Sequence, residues 1–292
     1  MKVFVTGGTG FQGGNIAGAL LNEGHQVVTQ KRDPNVGVPA MEGIEVVQGG
    51  LDSRESLVKA MKGTQAAVYS FPLIFDMELT KTYTANFIAA AKQENVGLVI
   101  FNTTFHLSKQ ETGFLALDLK VAMKKQFDAS GLNVITLAPD TYIDNISAPW
   151  SVPVILEHKI VPYPIASDKK LPWITHSDLG KYVAKAITKP ELAGQTLPIG
   201  GSLISGNEIT AAISTAIGQG LNFVSMSVNE FEQQLVPGFG EVAAKEISNL
   251  YRFIEQNHNE FVDKDYDKAN QLLGVQPQSV NDWAESVNWS MS

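Results

Sequence analysis

The 292-residue chain contains no cysteine. Disulfides, thiolate zinc sites, Cys-ligated iron–sulfur clusters and a cysteine nucleophile are therefore excluded. Histidines are few: His25, His106, His158, His176 and His258, with no two at metal-binding HxxxH or HExxH spacing, so no metal is expected. Basic residues are also in the minority. The 22 Lys and Arg stand against 30 Asp and Glu, a formal net charge of −8. Nucleic-acid binding needs cations that displace phosphate counterions, and Lys124-Lys125 and Lys169-Lys170 are only pairs, so direct nucleic-acid binding is not expected. No run reaches the ~18 to 20 apolar residues of a membrane helix, and no membrane partner is expected. Internal repeats and low-complexity linkers are missing too. The chain meets Gly7 directly after a strand-like Lys2–Val5 run, which leaves no room for a signal peptide. The expectation is a soluble, cytoplasmic protein.

What is present is glycine in a defined place. Val3, Phe4 and Val5 form a short β-rich apolar run. It enters Gly7-x-x-Gly10-x-x-Gly13, after which Ile16, Ala19 and Leu20 mark one face of a helix that Gly24 stops. Residues 25–30 then read as a second strand. Within a strand–loop–helix–strand unit each glycine has a task. Gly7 permits the tight turn, Gly10 lets backbone approach a pyrophosphate, and Gly13 lets the helix pack close to the sheet. The helix N-terminus offers unpaired N–H groups to the anion. Thr9, Phe11 and Gln12, interleaved with these glycines, are carried as cofactor-binding candidates.

The second strand ends in Lys31-Arg32-Asp33-Pro34. NAD-binding folds place a carboxylate there for the ribose 2′-hydroxyl, whereas a guanidinium suits a 2′-phosphate. Lys31 and Arg32 favour NADP; a small register shift bringing Asp33 to the ribose would favour NAD.

Further strands are predicted at 44–48, 66–70, 96–101 and 134–137, the last ended by Pro139, with helices at about 52–62, 77–93 and 115–129. The alternation implies an α/β, doubly wound parallel sheet. Phe71, Pro72 and Leu73 follow the fourth strand, where Phe71 and Leu73 either flank the adenosine or pack as an apolar loop. Residues 141–170 are rich in proline and read as loops and short strands rather than one long helix. Predicted beyond them are a helix at 178–187, strands at 196–199 and 223–227, and helices after Gly206, at 229–235, at 241–256 and around Trp283.

The loop Thr6–Gly14, the Lys31–Pro34 tip, the Lys120 helix, Tyr142–Asn145, Leu171–Ile174, Ser177–Gly180, the Gly206-x-Glu208-Ile209 segment and Trp283 together resemble the NmrA-like family of atypical short-chain dehydrogenases. The resemblance covers nearly the whole chain. It implies a Rossmann domain over 1–140, with 171–200 returning to it, and a smaller, mostly C-terminal α/β lobe from 141–170 and 201–292, with NADP(H) bound between them.

Ordinary short-chain dehydrogenases carry a Ser or Thr after the fifth strand, then Y-x-x-x-K on the next helix, which sets Tyr and Lys on one face. Thr103 and Lys120 fill two of these places. Four residues before Lys120 stands Ala116, which has no ionisable group, and no Tyr lies between Tyr83 and Tyr142. Two functions remain open. One is a redox-sensing or regulatory NADP(H) binder in which Lys120 only holds the nucleotide, with a protein as partner. The alternative is an NADPH-dependent reductase of a small carbonyl, quinone or activated alkene that uses Lys120, as the family's isoflavone-reductase branch implies, with His106 or Tyr142 as further acids. His106 on its loop otherwise reads as a solvated histidine, and Tyr142 as lobe packing. His176 and Asp178 do not suggest a hydrolase, because no G-x-S-x-G elbow exists.

Overall fold

The computed structural model describes residues 1–35, 37 and 41–290. In chain order the elements begin with β1 (Lys2–Val5), α1 (Phe11–Asn22), β2 (Gln26–Lys31), β3 (Ile44–Gln48), α2 (Arg54–Met61), β4 (Ala66–Ser70), α3 (Met77–Gln93), β5 (Leu98–Asn102), α4 (Leu115–Asp128) and β6 (Val134–Pro139). They continue with β7 (Thr141–Tyr142), α5 (Val152–His158), β8 (Ile160–Tyr163), β9 (Leu171–Ile174), α6 (His176–Ala186), β10 (Thr196–Ile199), β11 (Leu203–Ile204) and α7 (Gly206–Ile217). The last are β12 (Asn222–Ser225), α8 (Val228–Gln256), α9 (Asn259–Val262), α10 (Tyr266–Leu273) and α11 (Val280–Ser286).

Contacts divide the chain into two units. The first comprises Met1–Pro139, His176–Ile199 and Tyr266–Val275. Its seven-stranded sheet has the order β10-β6-β5-β4-β1-β2-β3, and every pairing is parallel. This is an α/β, Rossmann-like, doubly wound sheet, as the sequence predicts. Parallel strands are buried on both faces, hence the unbroken apolar runs: Val3, Phe4 and Val5 are all fully buried. The strand order reverses between β1 and β4, and the carboxyl ends on either side of such a switch point open a ligand crevice.

The core beneath one face centres on Tyr69. Its ring lies 4.6 Å from that of Phe87 and 5.3 Å from that of Phe127, which in turn packs 4.9 Å from Phe101. Buried Tyr69 satisfies its hydroxyl on Thr84 Oγ1 at 2.8 Å. Ser53 caps α2 and Asp76 caps α3 by accepting from backbone N–H groups. The α4 entry is fixed differently: the Asp118 carboxylate reaches back to the N–H groups of Thr112 and Gly113, at 2.6 and 3.1 Å.

The second unit comprises Asp140–Thr175, Gly200–Asp265 and Gln276–Ser292. It holds the sheet β11-β9-β7 and the pair β12-β8. Buried Tyr163 and Tyr251 share a 2.6 Å hydroxyl contact there, and the Tyr163 ring packs against Trp173. The Asp140 carboxylate accepts from Lys264 Nζ at 2.6 and 2.7 Å.

Several elements depart from the sequence reading. The proline-rich stretch contains a helix, α5, because Pro153 sits in its first turn, where no intrahelical N–H is required. β6 runs two residues beyond the predicted Leu137 to Pro139, which ends it as expected while staying in register with Ile199. Pro198 is tolerated because β10 is an edge strand. The two helices expected at 229–235 and 241–256 are both present as α8, the first running further than expected, to a break at Gly240 (φ 78°, ψ 164°). Residues 171–174 pair only with second-unit strands, while 266–275 belong to the first unit.

Candidate functional site

The first unit builds its candidate site from the carboxyl ends of β1, β2, β4 and β5. At the end of β1 the chain turns through Gly7 at φ +63°, a left-handed conformation that side chains disfavour. Gly10 N–H donates to Gly7 O at 2.9 Å and closes the turn. A Cβ built on Gly13 would lie 2.1 Å from Gly7 O and 2.5 Å from Gly7 C, so only glycine fits where α1 crosses its own loop. Thr29 pins the loop from β2: its Oγ1 accepts from Gly8 N at 2.9 Å and donates to Val5 O at 2.8 Å.

The first turn of α1 has no side-chain cap and no acidic residue. The N–H groups of Phe11, Gln12 and Gly13 precede the first i−4 acceptor of the helix, so they face outward with the positive end of its dipole. This cradle fits a pyrophosphate. Phe11 itself is 68% exposed, and its ring stacks on His176 of α6 at 6.3 Å.

The tip of β2 separates its charges. The Asp33 carboxylate accepts from Asn35 N–H at 2.9 Å, a local turn that occupies it. Arg32 is exposed, its stem passes over Gly50, and it makes no ion pair with any described residue. Lys31 Nζ donates to Pro34 O at 3.3 Å. The tip therefore presents a cation while its carboxylate is engaged.

At the end of β4, Phe71 joins the aromatic core, its ring 6.4 Å from Tyr69 and 6.3 Å from Tyr83. Of the two roles open to it in the sequence, the structure shows apolar packing. Pro72 and Leu73 are exposed beside it.

The end of β5 carries the densest polar network. Asn102 is fully buried; its Nδ2 donates to Gln12 Oε1 at 2.8 Å and to Ser70 Oγ at 3.0 Å, and its Oδ1 accepts from Thr104 N–H at 3.0 Å. Gln12 Nε2 returns a bond to Thr104 O at 3.3 Å. Lys120 extends from α4 with its Nζ 3.3 Å from Thr104 Oγ1. The amine is buried, and desolvation holds it down at about 8, below the ordinary lysine value of 10.5.

The candidates named from sequence are thus distributed. Thr103, fully buried, donates its hydroxyl to Phe105 O at 2.6 Å, and the neighbouring Thr104 meets Lys120 instead. Nothing in the residue types separates the two threonines; the positive φ of Thr104 (64°) does. Asn102, Ser70 and Thr104 were not singled out by sequence, although the polar Asn-Thr-Thr run closing an apolar strand was a signal. His106 is 1% exposed, not a solvated loop histidine, because the segment after β5 folds inward. Tyr142 lies on β7 in the second unit, buried, with its phenol pushed well above the ordinary range by burial and then by Asp144 and Asp140. Such a phenol is a poor proton donor near neutrality. Ala116, 1% exposed, fills the place of the missing tyrosine. Asp178 is buried and accepts from Lys181 Nζ at 2.8 Å. Among the described residues there is no cluster of His, Asp or Glu suited to a metal, and no helix long and apolar enough to cross a membrane.

Comparison with known proteins agrees with this architecture. The chain is 24% identical over 258 residues to an NAD(P)H azoreductase of Xenophilus azovorans, covering 85% of this chain and 86% of the relative. Its fold superposes on that of a Citrobacter sp. triphenylmethane reductase complexed with NADP(H), with a TM-score of 0.79 at 19% identity and coverage of 98% and 100%. NmrA, a negative transcriptional regulator in complex with NADP, superposes with a TM-score of 0.78 at 15% identity, covering 98% of this chain and 94% of that one. The NmrA-like family model matches residues 1–284, so with its glycine turn, doubly wound sheet and β5 lysine partner in place, the chain belongs to the NmrA-like family.

Proposed function

We propose that this chain binds NADP(H) and acts as an NADPH-dependent reductase of a small carbonyl, quinone or activated alkene. The observation that carries this reading is Lys120: a buried amine, held down at about 8 by desolvation, whose hydrogen-bond partner is the Thr104 hydroxyl and not a carboxylate. A general acid works best when its pKa lies near the operating pH. When bound, NADPH supplies the hydride. The N–H groups of residues 11–13 hold the pyrophosphate, helped by the close approach that Gly10 and Gly13 permit. Arg32, with Lys31, meets the 2′-phosphate. Lys120 is predominantly an ammonium at neutral pH and delivers the proton that completes the reduction.

The family relatives named as reductases support this reading. A second reading, a redox-sensing regulatory binder of NADP(H), is favoured by one observation: Ala116 leaves the tyrosine place without an ionisable group. In that case Lys120 holds the nucleotide, and the partner is another protein.

Titration with NADPH and NADH, followed by a carbonyl, quinone and azo-compound panel monitored at the NADPH absorbance, separates the readings. Turnover supports the reductase; tight binding with no turnover supports the sensor. Arg32→Glu is expected to reverse cofactor preference by about tenfold or more, since it sets a carboxylate against the 2′-phosphate. Tighter NADH than NADPH binding by the unmodified chain would refute the cofactor assignment.

A further inference from the structure

Thr104 is β-branched yet sits at φ 64°, in the left-handed region such residues avoid. Its surroundings hold it there. Asn102 Oδ1 grips its N–H at 3.0 Å, and Gln12 Nε2 grips its carbonyl at 3.3 Å. These two side chains are bonded to each other at 2.8 Å, and Asn102 is braced by Ser70 Oγ at 3.0 Å. The clasp leaves Thr104 Oγ1 facing Lys120 Nζ at 3.3 Å.

We propose that Asn102 is a positioning residue for Lys120: it locks Thr104 in the left-handed conformation that presents its hydroxyl to the lysine amine. The clasp belongs to the protein without ligand, so the inference stands apart from whether the chain turns over a nucleotide. It also goes beyond the Ser/Thr–Lys pattern of the sequence, because Asn102 touches neither the amine nor the threonine side chain that meets it.

The consequence is measurable on the amine. The hydroxyl solvates the ammonium form, so losing it makes a buried lysine still harder to protonate. Burial lowers the amine, and the Thr104 hydroxyl works against it. The titratable groups on the neighbouring elements, Asp118 and Lys124 on α4, Glu78, Lys81, Tyr83 and Lys92 on α3, and His106, Lys109 and Glu111 between β5 and α4, are the same in every variant compared. A general loosening of the fold would act oppositely, by letting water in and returning Lys120 toward 10.5. Direction therefore distinguishes positioning from bulk stability.

The test is competitive labelling of the free full-length protein with acetic anhydride across pH 6 to 11, reading the Lys120 peptide by mass spectrometry. Thr104→Val is expected to weaken proton binding by about threefold or more, a midpoint drop of about half a unit. Asn102→Ala is expected to produce the same drop, with no further drop when the two are combined. Thr104→Ser keeps the hydroxyl and retains the original midpoint. If Asn102→Ala does not fold, Asn102→Ser, which is polar but too short to reach Thr104 N–H, carries the same expectation. A midpoint that stays put or rises in the Asn102 variant, or drops that add in the double variant, overturns the proposal.

Discussion

Lys120→Met is expected to yield a protein that is more stable at neutral pH and nearly inactive. The sign follows from the titration. Lysine binds its proton near 10.5 in the unfolded chain and near 8 when buried on α4. Between those values the unfolded state carries more protons, so stability rises with pH across that window. Below 8 the full cost of burying the ammonium is present, about 3 kcal/mol from the size of the displacement. Methionine has nearly the same length and no charge to desolvate. Denaturant unfolding at pH 7 should show a gain of up to about 3 kcal/mol that shrinks toward zero near pH 10.5. A loss of stability at pH 7 would mean that the amine is compensated in the fold. If the reductase reading holds, the same variant loses about 100-fold or more in turnover, the usual contribution of a general acid. On the proposed assignment of nucleotide binding to the glycine loop and Arg32, affinity falls far less. Undiminished turnover in this variant would remove Lys120 from the chemistry.

The second large effect is Gly13→Ala. One methyl group would be placed 2.1 Å from a backbone oxygen that belongs to the turn itself, not to the end of a flexible side chain. Either α1 moves outward or the Gly7 turn opens. Overpacking of this kind costs about 1 to 3 kcal/mol or more, and both outcomes dismantle the N–H cradle. Calorimetric titration is expected to show NADPH affinity reduced by about 100-fold or more, with a lower unfolding midpoint. Gly14→Ala, one residue on, is the control, because its Cβ would meet nothing nearer than 3.8 Å. Equal affinity for the two variants would show that the loop does not hold the dinucleotide.

The local units were legible in the sequence. The Gly7, Gly10 and Gly13 spacing predicts a strand–turn–helix, and the turn is there with the expected close approach at Gly13. Strands 44–48, 66–70 and 196–199 and the helix at 77–93 have the predicted bounds, because apolar runs and helical periodicity are properties of neighbouring residues. Proline was the poorest guide. Pro139 ends β6 as read, but Pro153 lies in the first turn of a helix, where no N–H is missed.

Contacts between distant segments were not legible. Nothing local tells Thr103 from Thr104, or an exposed His106 from a buried one; the first depends on the bond from Gln12, some ninety residues earlier, to the Thr104 carbonyl, and the second on how the segment after β5 folds inward. The packing of the Phe71 ring beside Tyr69 likewise comes only with the fold. The assignment of 171–174 to one unit and 266–275 to the other likewise rests on pairings between remote strands and helices. Periodicity and glycine spacing along the chain therefore carry the parallel sheet and its first turn, residue identity carries the cation at the β2 tip, and the resemblance of several separate motifs carries the family. The lysine's depressed proton affinity and its threonine partner arise only when the folded chain strips water from α4 and turns Thr104 left-handed, since desolvation and strain belong to packing and leave no mark on residue order.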